Sequence, residues 1–207
     1  PPATTPPGQT DTGNSGSPTT PPATTPPPTT PPPTAPPAQT FPDGTILLNE
    51  QTGELSWYSG AQRHLISPPV AAKMGVTSAQ ETSVTNDVFN GIPKGDDYFP
   101  SGMFVRNADT GEISQYSGGA FHVVSTPIAA KLGLGVDSVA TISGAQYAGV
   151  SKGNDYFPDG ILLQNQQTGE VDIYQGGQRH WISVPVAKAI NLTTSQVTTI
   201  SPTQFNA

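Results

Sequence analysis

One unit of 58 residues occurs three times in this chain, in register and without insertion. The motif FPDG begins at Phe41, FPSG at Phe99 and FPDG at Phe157. Six further positions share this spacing: Asn49, Asn107 and Asn165; Thr52, Thr110 and Thr168 of the TGE motif; Tyr58, Tyr116 and Tyr174; Gly60, Gly118 and Gly176; His64, His122 and His180; Pro69, Pro127 and Pro185. A fixed period of this size indicates a repeat architecture, in which each unit buries apolar surface against its neighbours.

The repeat sets the domain boundaries. Repeat 1 covers residues 41–98, repeat 2 covers 99–156 and repeat 3 covers 157–207, which together make one folded body. The segments KGDDY (94–98) and KGNDY (152–156) have no counterpart after repeat 3, so we interpret them as connectors between copies.

Each repeat predicts three strands, a helix and a fourth strand. TILLN and ELSWY flank a turn that contains Gly53, which is typical of a hairpin, and QRHLIS gives the third strand. Ser67, Ser125 and Ser183 are expected N-caps of a short helix with Pro just inside it, and Gly75, Gly133 and Asn191 are its expected ends. The fourth strand is expected around Val84, Ile142 and Ile200, and Phe89, Tyr147 and Phe205 are expected on it as an aromatic plug.

These elements predict a mainly β protein with short helices, built from three β-β-β-α-β repeats. We expect the three units to form a compact pseudo-threefold body, and an open repeat array is the alternative.

Residues 1–40 differ sharply from the body. They hold 15 Pro and 12 Thr but no branched aliphatic, Met or aromatic residue, so they have nothing to bury. Such a composition favours an extended polyproline segment. We expect a stalk that carries O-linked glycans or, alternatively, a bare flexible linker.

Charge and composition exclude several classes of function. The net charge is −7, whereas a phosphate backbone or an anionic membrane surface requires a basic patch, so we expect no nucleic-acid partner and no membrane insertion. The chain has no Cys, no phosphate-binding loop and no order of Ser, His and Asp typical of a hydrolase. Each repeat offers one recurrent Glu (Glu54, Glu112 and Glu170) without a recurrent second acid for glycoside hydrolysis, so we expect neither an enzyme nor a cofactor.

The segments FPDGTILLNEQTGELSWYSGAQRHLIS (41–67) and VTNDVFNGIPKG (84–95) resemble repeats of secreted and surface proteins of bacteria. Those repeats have the form PDG-T-L…Y…G-x-[KR]-[RH]-x-I-x-S and often accompany hydrolase or wall-attachment domains. Repeat 2 departs from the form, with GGAFHVVS at 118–125. The resemblance, together with a stalk similar to the Pro/Thr linkers of secreted bacterial glycoside hydrolases, implies an accessory role outside the cell.

Four residues are candidate ligand contacts. Trp181 and Arg179 alternate with His180 along the third strand, so they are expected together on its outer face, where an indole beside a guanidinium suits a sugar ring. Arg63 gives a weaker version in repeat 1, and Trp57 offers another flat apolar surface. The alternative is that these side chains pack against a neighbouring unit or the stalk.

The same alternation places His64, His122 and His180 on the inward face, where we expect buried rings bonded to backbone carbonyls. A three-histidine metal site on a threefold axis is the alternative role. The acidic residues Asp96, Asp97, Asp155 and Asp159 lie near turns, where solvated turns are favoured over a calcium site.

The sequence therefore predicts a non-catalytic module, secreted or at the cell surface, that binds carbohydrate or a cell-wall polymer. The alternative is a structural subunit that binds copies of itself in an extracellular filament or coat.

Overall fold

A computed structural model describes residues 39–206 of the chain. These residues form three similar sheets of four or five strands with short helices, which confirms the mainly β repeat class. The expectations about the stalk fall almost wholly outside the described residues.

Repeat 1 shows the plan of the unit. Its elements are β1 (Thr45–Asn49), β2 (Leu55–Ser59), β3 (Gln62–Ile66), α1 (Pro68–Met74), β4 (Glu81–Val84) and α2 (Asn86–Gly91). The sheet has the order β3-β2-β1-β4, with β4 parallel to β1 and the other neighbours antiparallel. The crossover through α1 therefore returns the chain to the open edge of β1.

Repeats 2 and 3 follow the same plan. Repeat 2 contains β5 (Phe104–Asn107), β6 (Ile113–Ser117), β7 (Ala120–Val124), α3 (Thr126–Lys131), β8 (Ala140–Ile142), α4 (Gly144–Ala148) and β9 (Ser151–Lys152). Repeat 3 contains β10 (Leu162–Asn165), β11 (Val171–Gln175), β12 (Gln178–Trp181), α5 (Val184–Ala189), β13 (Thr198–Ile200) and α6 (Pro202–Phe205). Their sheets have the orders β8-β5-β6-β7-β9 and β12-β11-β10-β13.

The first helix of each repeat ends where the sequence predicts. Gly75, Gly133 and Asn191 have φ angles of 66°, 67° and 54°, which only glycine and asparagine adopt readily. In repeat 1 the N–H of Val76 bonds to the carbonyl of Ala71, which is the hydrogen bond across six residues that defines a Schellman motif. The N-cap prediction holds in position only, because Ser67, Ser125 and Ser183 make no side-chain capping bond.

The second helix of each repeat is missing from the sequence prediction. The fourth strand ends at Val84, and Phe89 lies on α2, not on the strand, as do its counterparts Tyr147 on α4 and Phe205 on α6. A side-chain oxygen caps each of these helices; that of Ser201, for example, accepts from the N–H of Gln204 at 3.3 Å. The caps turn the chain so that the aromatic ring packs into the core.

Each sheet has two apolar faces, because successive side chains of a strand point to opposite sides. We call the face beside the first helix the tail; in repeat 1 it comprises Ile46, Ile66, Val70 and Ala71. We call the face beside the second helix the head; in repeat 2 it comprises Phe99, Val105, Phe121, Ala140, Ile142 and Tyr147.

Tail and head faces of neighbouring repeats share a core. The tail of repeat 1 joins the head of repeat 2 in one cluster, and the tail of repeat 2 joins the head of repeat 3 in another. The first helices provide the contact, since α1 packs on β8 and α3 on β13. The repeats are therefore stacked in series.

The helix positions Val70, Ile128 and Val186 test whether this series closes on itself. Val70 and Ile128 are fully buried by the following repeat, whereas Val186 is 50% exposed. In a closed pseudo-threefold body, repeat 3 would bury Val186 against repeat 1. The contacts therefore correspond to the open-array alternative and not to the closed body that we expected.

The connectors lie along the edge strand of the repeat that precedes them. The N–H of Gly95 bonds to the carbonyl of Arg63, and the N–H of Tyr98 bonds to the carbonyl of Leu65. In the next connector, β9 pairs in parallel with β7. Each connector therefore covers a sheet edge before it enters the next repeat.

Candidate functional site

A groove of about 510 Å³ runs along repeat 3 between the β10–β11 turn and the first helix of the repeat. Its walls are Gly169, Glu170, Val171, Trp181, Ile182, Val184, Ala187, Lys188, Asn191, Leu192 and Thr193. The turn brings Glu170 to one side, and the end of β12 brings Trp181. The left-handed conformation of Asn191 ends the helix and forms the other side.

Trp181 is the aromatic side chain among these walls, and 66% of its surface is accessible. Around it the groove provides a carboxylate from Glu170, an ammonium group from Lys188 and an amide from Asn191. An apolar ring with hydrogen-bond donors and acceptors nearby matches a ligand that has both a flat apolar face and polar groups at its rim.

A buried carboxylate lies beside this groove. Asp172 is directly opposite Trp181 in the β11–β12 pairing, and one of its oxygens is 3.7 Å from the guanidinium of Arg179. Burial raises the pKa of Asp172, the negative charge of Glu170 raises it further, and Arg179 opposes both effects.

Repeat 2 has the corresponding groove, with a volume of about 670 Å³. Its walls include Gly111, Glu112 and Val123, the counterparts of Gly169, Glu170 and Trp181, and also Gln204 from the next repeat. The groove therefore stays open although repeat 3 is docked on repeat 2. Glu112 is already engaged, because it accepts a hydrogen bond of 2.5 Å from the hydroxyl of Tyr147. Burial, together with this carboxylate, raises the pKa of Tyr147.

The two candidate arginines belong to the head faces. The guanidinium groups of Arg63 and Arg179 lie 4.5 Å from the ring centres of Phe89 and Phe205. Arg63 also bonds to Glu54 at 2.9 Å. Arg179 shares the strand face of Trp181, as the alternation predicts, but its guanidinium packs on Phe205 of α6 and does not line the groove.

Trp57 lies far from this groove in the fold, at the junction of repeats 1 and 2. Its ring stacks on Tyr98 with centres 4.7 Å apart and planes at 13°. The pair lines a cleft of about 580 Å³ together with Met74, Met103 and other residues. Trp57 and Trp181 therefore do not form one site.

Two of the three histidines, His64 and His122, bond to connectors. Nδ1 of His64 lies 2.9 Å from the carbonyl oxygen of Asp96, and Nδ1 of His122 lies 2.8 Å from that of Asn154. This is the backbone bond that the sequence predicts, but the rings are only half-buried and His180 is exposed. The histidines lie on three separate sheets, and within residues 39–206 no three metal-ligating side chains come together.

The acidic residues near the turns have structural partners. Asp43 and Asp159 accept the N–H groups of Gly60 and Gly176 at 2.9 and 3.0 Å, which ties the start of repeats 1 and 3 to a β-turn of the same repeat. Repeat 2 carries Ser101 at this position. Asp97 accepts from Gln146 at 2.9 Å and Asp155 from Gln204 at 3.4 Å, so each connector also holds the second helix of the repeat that follows it.

Lys188 and Asn191 are groove residues that the sequence argument did not identify. Asn191 was interpreted only as a helix end, and Lys188 received no role. A signal was nevertheless present: repeats 1 and 2 carry the small residues Ala72 and Ala130 at the register position of Lys188.

Comparisons with known proteins give little guidance. No family model and no curated protein matches the chain. Two solved structures are similar at 11% and 12% identity: the periplasmic assembly from the ESX-5 inner membrane complex and an intact ESX-5 inner membrane complex. The aligned region covers 82% of this chain but only 60% and 52% of those chains, with TM-scores of 0.24 and 0.23, which are too low to support an argument.

Among residues 39–206, no helix combines the length and the apolar character that crossing a bilayer requires.

Proposed function

We propose that this chain is a non-catalytic binding module, secreted or at the cell surface, that binds carbohydrate or a cell-wall polymer through the groove of repeat 3. The observation that carries the proposal is the exposed indole of Trp181 beside Glu170, Lys188 and Asn191. An aromatic ring stacks on the apolar face of a sugar, while the rim groups bond to its hydroxyls.

The groove of repeat 2 supports a repeated but unequal use of the same surface. Val123 replaces the indole there, and Glu112 is bonded to Tyr147, so that groove offers fewer free groups to a ligand. Repeat 3 is then the strongest site, and the weaker grooves add affinity only when one polymer spans several repeats.

The Pro/Thr-rich residues 1–40 are consistent with this role, because a stalk with nothing to bury separates the binding body from whatever carries it. In this proposal the stalk bears O-linked glycans, and the module acts outside the cell.

Binding to a glycan array, to peptidoglycan and to insoluble polysaccharides would test the proposal. Trp181→Val installs the residue that repeat 2 carries at this register, so the fold should be retained while binding falls at least about tenfold. Val136→Ala is the matched control, since Val136 is 63% exposed but lies outside the groove. Val123→Trp is the complementary variant: it adds an indole to the groove of repeat 2 and should strengthen binding to polymers long enough to span both grooves.

The outcomes separate binding from packing. Unchanged binding by Trp181→Val to a polymer that the wild type binds would overturn the assignment of the groove. Failure of the wild type to bind any of these polymers would overturn the ligand class.

A further inference from the structure

The tail of repeat 3 is an apolar face without a partner in the described residues. It comprises Leu162, Ile182, Val186 and Ala187, which occupy the register positions of the buried tail residues of repeats 1 and 2. Val186 is 50% and the neighbouring Ile190 55% exposed. Buried counterparts elsewhere in the same chain show what this face is shaped to contact, namely the head of another repeat.

The head of repeat 1 does not pack against the tail of another repeat in the described residues, so it can be compared with the two heads that do. Ala140 and Thr198 of the later heads are buried by the preceding repeat, whereas their counterpart Thr82 is exposed. Thr45 stands where the later heads have Met103 and Ile161. Thr45 thus makes the head of repeat 1 more polar at one position, as terminal repeats require, although Leu47, Val84 and Phe89 fill its core. Repeat 3 has no corresponding change on its tail.

The edge of the repeat 3 sheet also lacks the partner that the other repeats have. In repeat 1 the connector bonds to the backbone of Arg63 and Leu65 and to the ring of His64. The counterparts in repeat 3 are Arg179, Trp181 and His180, and His180 is exposed. No strand pairs with the free edge of β12 within residues 39–206. Within residues 39–206, the edge of β12 therefore lacks a connector and the tail of repeat 3 lacks a head.

We propose that this combined surface docks a further unit of the same repeat class, with an apolar head and a connector of the Lys-Gly-x-Asp-Tyr type. A second copy of this chain fits less well, because it would present the head of repeat 1, with Thr45 in place of Met103 or Ile161. The segment before that head also lacks a connector, since Gln39 and Thr40 stand where later repeats have the Asp and Tyr of the connector. Val88 likewise replaces the glutamine that binds the connector Asp in the later repeats.

The proposal goes beyond ligand binding. The docking surface shares Ile182 and Ala187 with the groove, but their counterparts Val124 and Ala129 also line the groove of repeat 2. The groove of repeat 2 remains open with repeat 3 docked beside it, so the docking surface and the groove can be occupied together.

The test extends the full chain after Ala207 with a second copy of residues 150–206, which supplies a connector and an apolar head. The control extension carries residues 37–92 instead, which supply the head of repeat 1 without the connector. Hydrogen exchange of α5 and β12 is measured in the parent and in both extended chains. We expect amides there to exchange at least about tenfold more slowly with the first extension only.

Val186→Asp provides the second measurement. In the parent it should leave the melting temperature nearly unchanged, because the position is half exposed; in the chain with the apolar-head extension it should remove the added protection. Equal exchange in the parent and that chain would overturn the proposal. So would concentration-dependent dimerisation of the parent that Val186→Asp abolishes, because the occupant would then be a second copy.

Discussion

Val70 and Val186 provide a matched pair for measuring what one inter-repeat contact contributes. They occupy the same register position in α1 and α5, yet Val70 is fully buried by repeat 2 and Val186 is 50% exposed. Truncating each to alanine makes the same chemical change in two environments that differ mainly in the presence of a following repeat.

The expected costs follow from the methyl groups removed. Burying two such groups stabilises by roughly 1.6 kcal/mol, and a cavity left in a packed interface adds to the loss. Alanine returns up to about 0.7 kcal/mol of helix propensity at both sites. We therefore expect Val70→Ala to lower the free energy of unfolding by about 1–3 kcal/mol. Because Val186 is half exposed, its truncation loses only about 0.8 kcal/mol of burial energy, which the same gain in helix propensity nearly offsets. We therefore expect Val186→Ala to leave the free energy of unfolding nearly unchanged.

Urea denaturation followed by circular dichroism measures both variants at low protein concentration. Because stacked repeats can unfold in steps, hydrogen exchange should accompany it to identify the repeat that opens. An equal loss for Val186→Ala would refute the reasoning, since it would mean that the tail of repeat 3 is covered in the free protein. A negligible loss for Val70→Ala would refute the contribution of the stacked interface.

Two further contacts give measurable expectations. Asp172 is buried where repeats 1 and 2 carry serine, and its Oδ1 has no hydrogen-bond partner in the described part of the chain. We expect Asp172→Ser to raise the free energy of unfolding at pH 7 by about 1 kcal/mol, measured in urea. Burial raises the pKa of Asp172 above its usual 3.8, so protonation of this carboxyl favours the folded state. The stability of the wild type therefore falls as the pH rises through the folded pKa. Below pH 3.8 the stability advantage of Asp172→Ser should shrink. Gly153→Ala places a Cβ against the ring of His122 and should cost about 1 kcal/mol, and a smaller cost in the His122→Ala background would show that this clash is the cause.

The sequence predicted the elements that depend on local rules. Helix ends at Gly75 and Asn191 follow from the few residue types that adopt a left-handed conformation, and the β1–β2 hairpin follows from alternation around a glycine turn. The second helix of each repeat was not predicted, because it is only one or two turns long and shows no apolar periodicity. Its available signal was a capping residue followed three positions later by glutamine, as in Ser143 with Gln146 and Ser201 with Gln204.

The exposure of the third strand was harder to predict, because it depends on tertiary partners. Alternation correctly places Arg179 and His180 on opposite faces of the strand. The face of Arg179 is covered by α6, and the face of the histidine is covered only where a connector follows, as at His122. Alternation alone implies one inward face, whereas the sheet packs on both sides. An outer face was therefore expected for Arg179, although its side chain stacks on Phe205.

Stacking on a following repeat leaves the groove of a unit open, although both use tail residues such as Ala129. Ile128 of α3 is fully buried by repeat 3, yet the groove on the other side of that helix stays open. Selection on the groove can therefore act at one position, occupied by Leu65, Val123 and Trp181 in the three repeats, without disturbing the shared core. The variation at this position beside a tail face that is apolar in all three repeats suits a scaffold whose binding sites can differ.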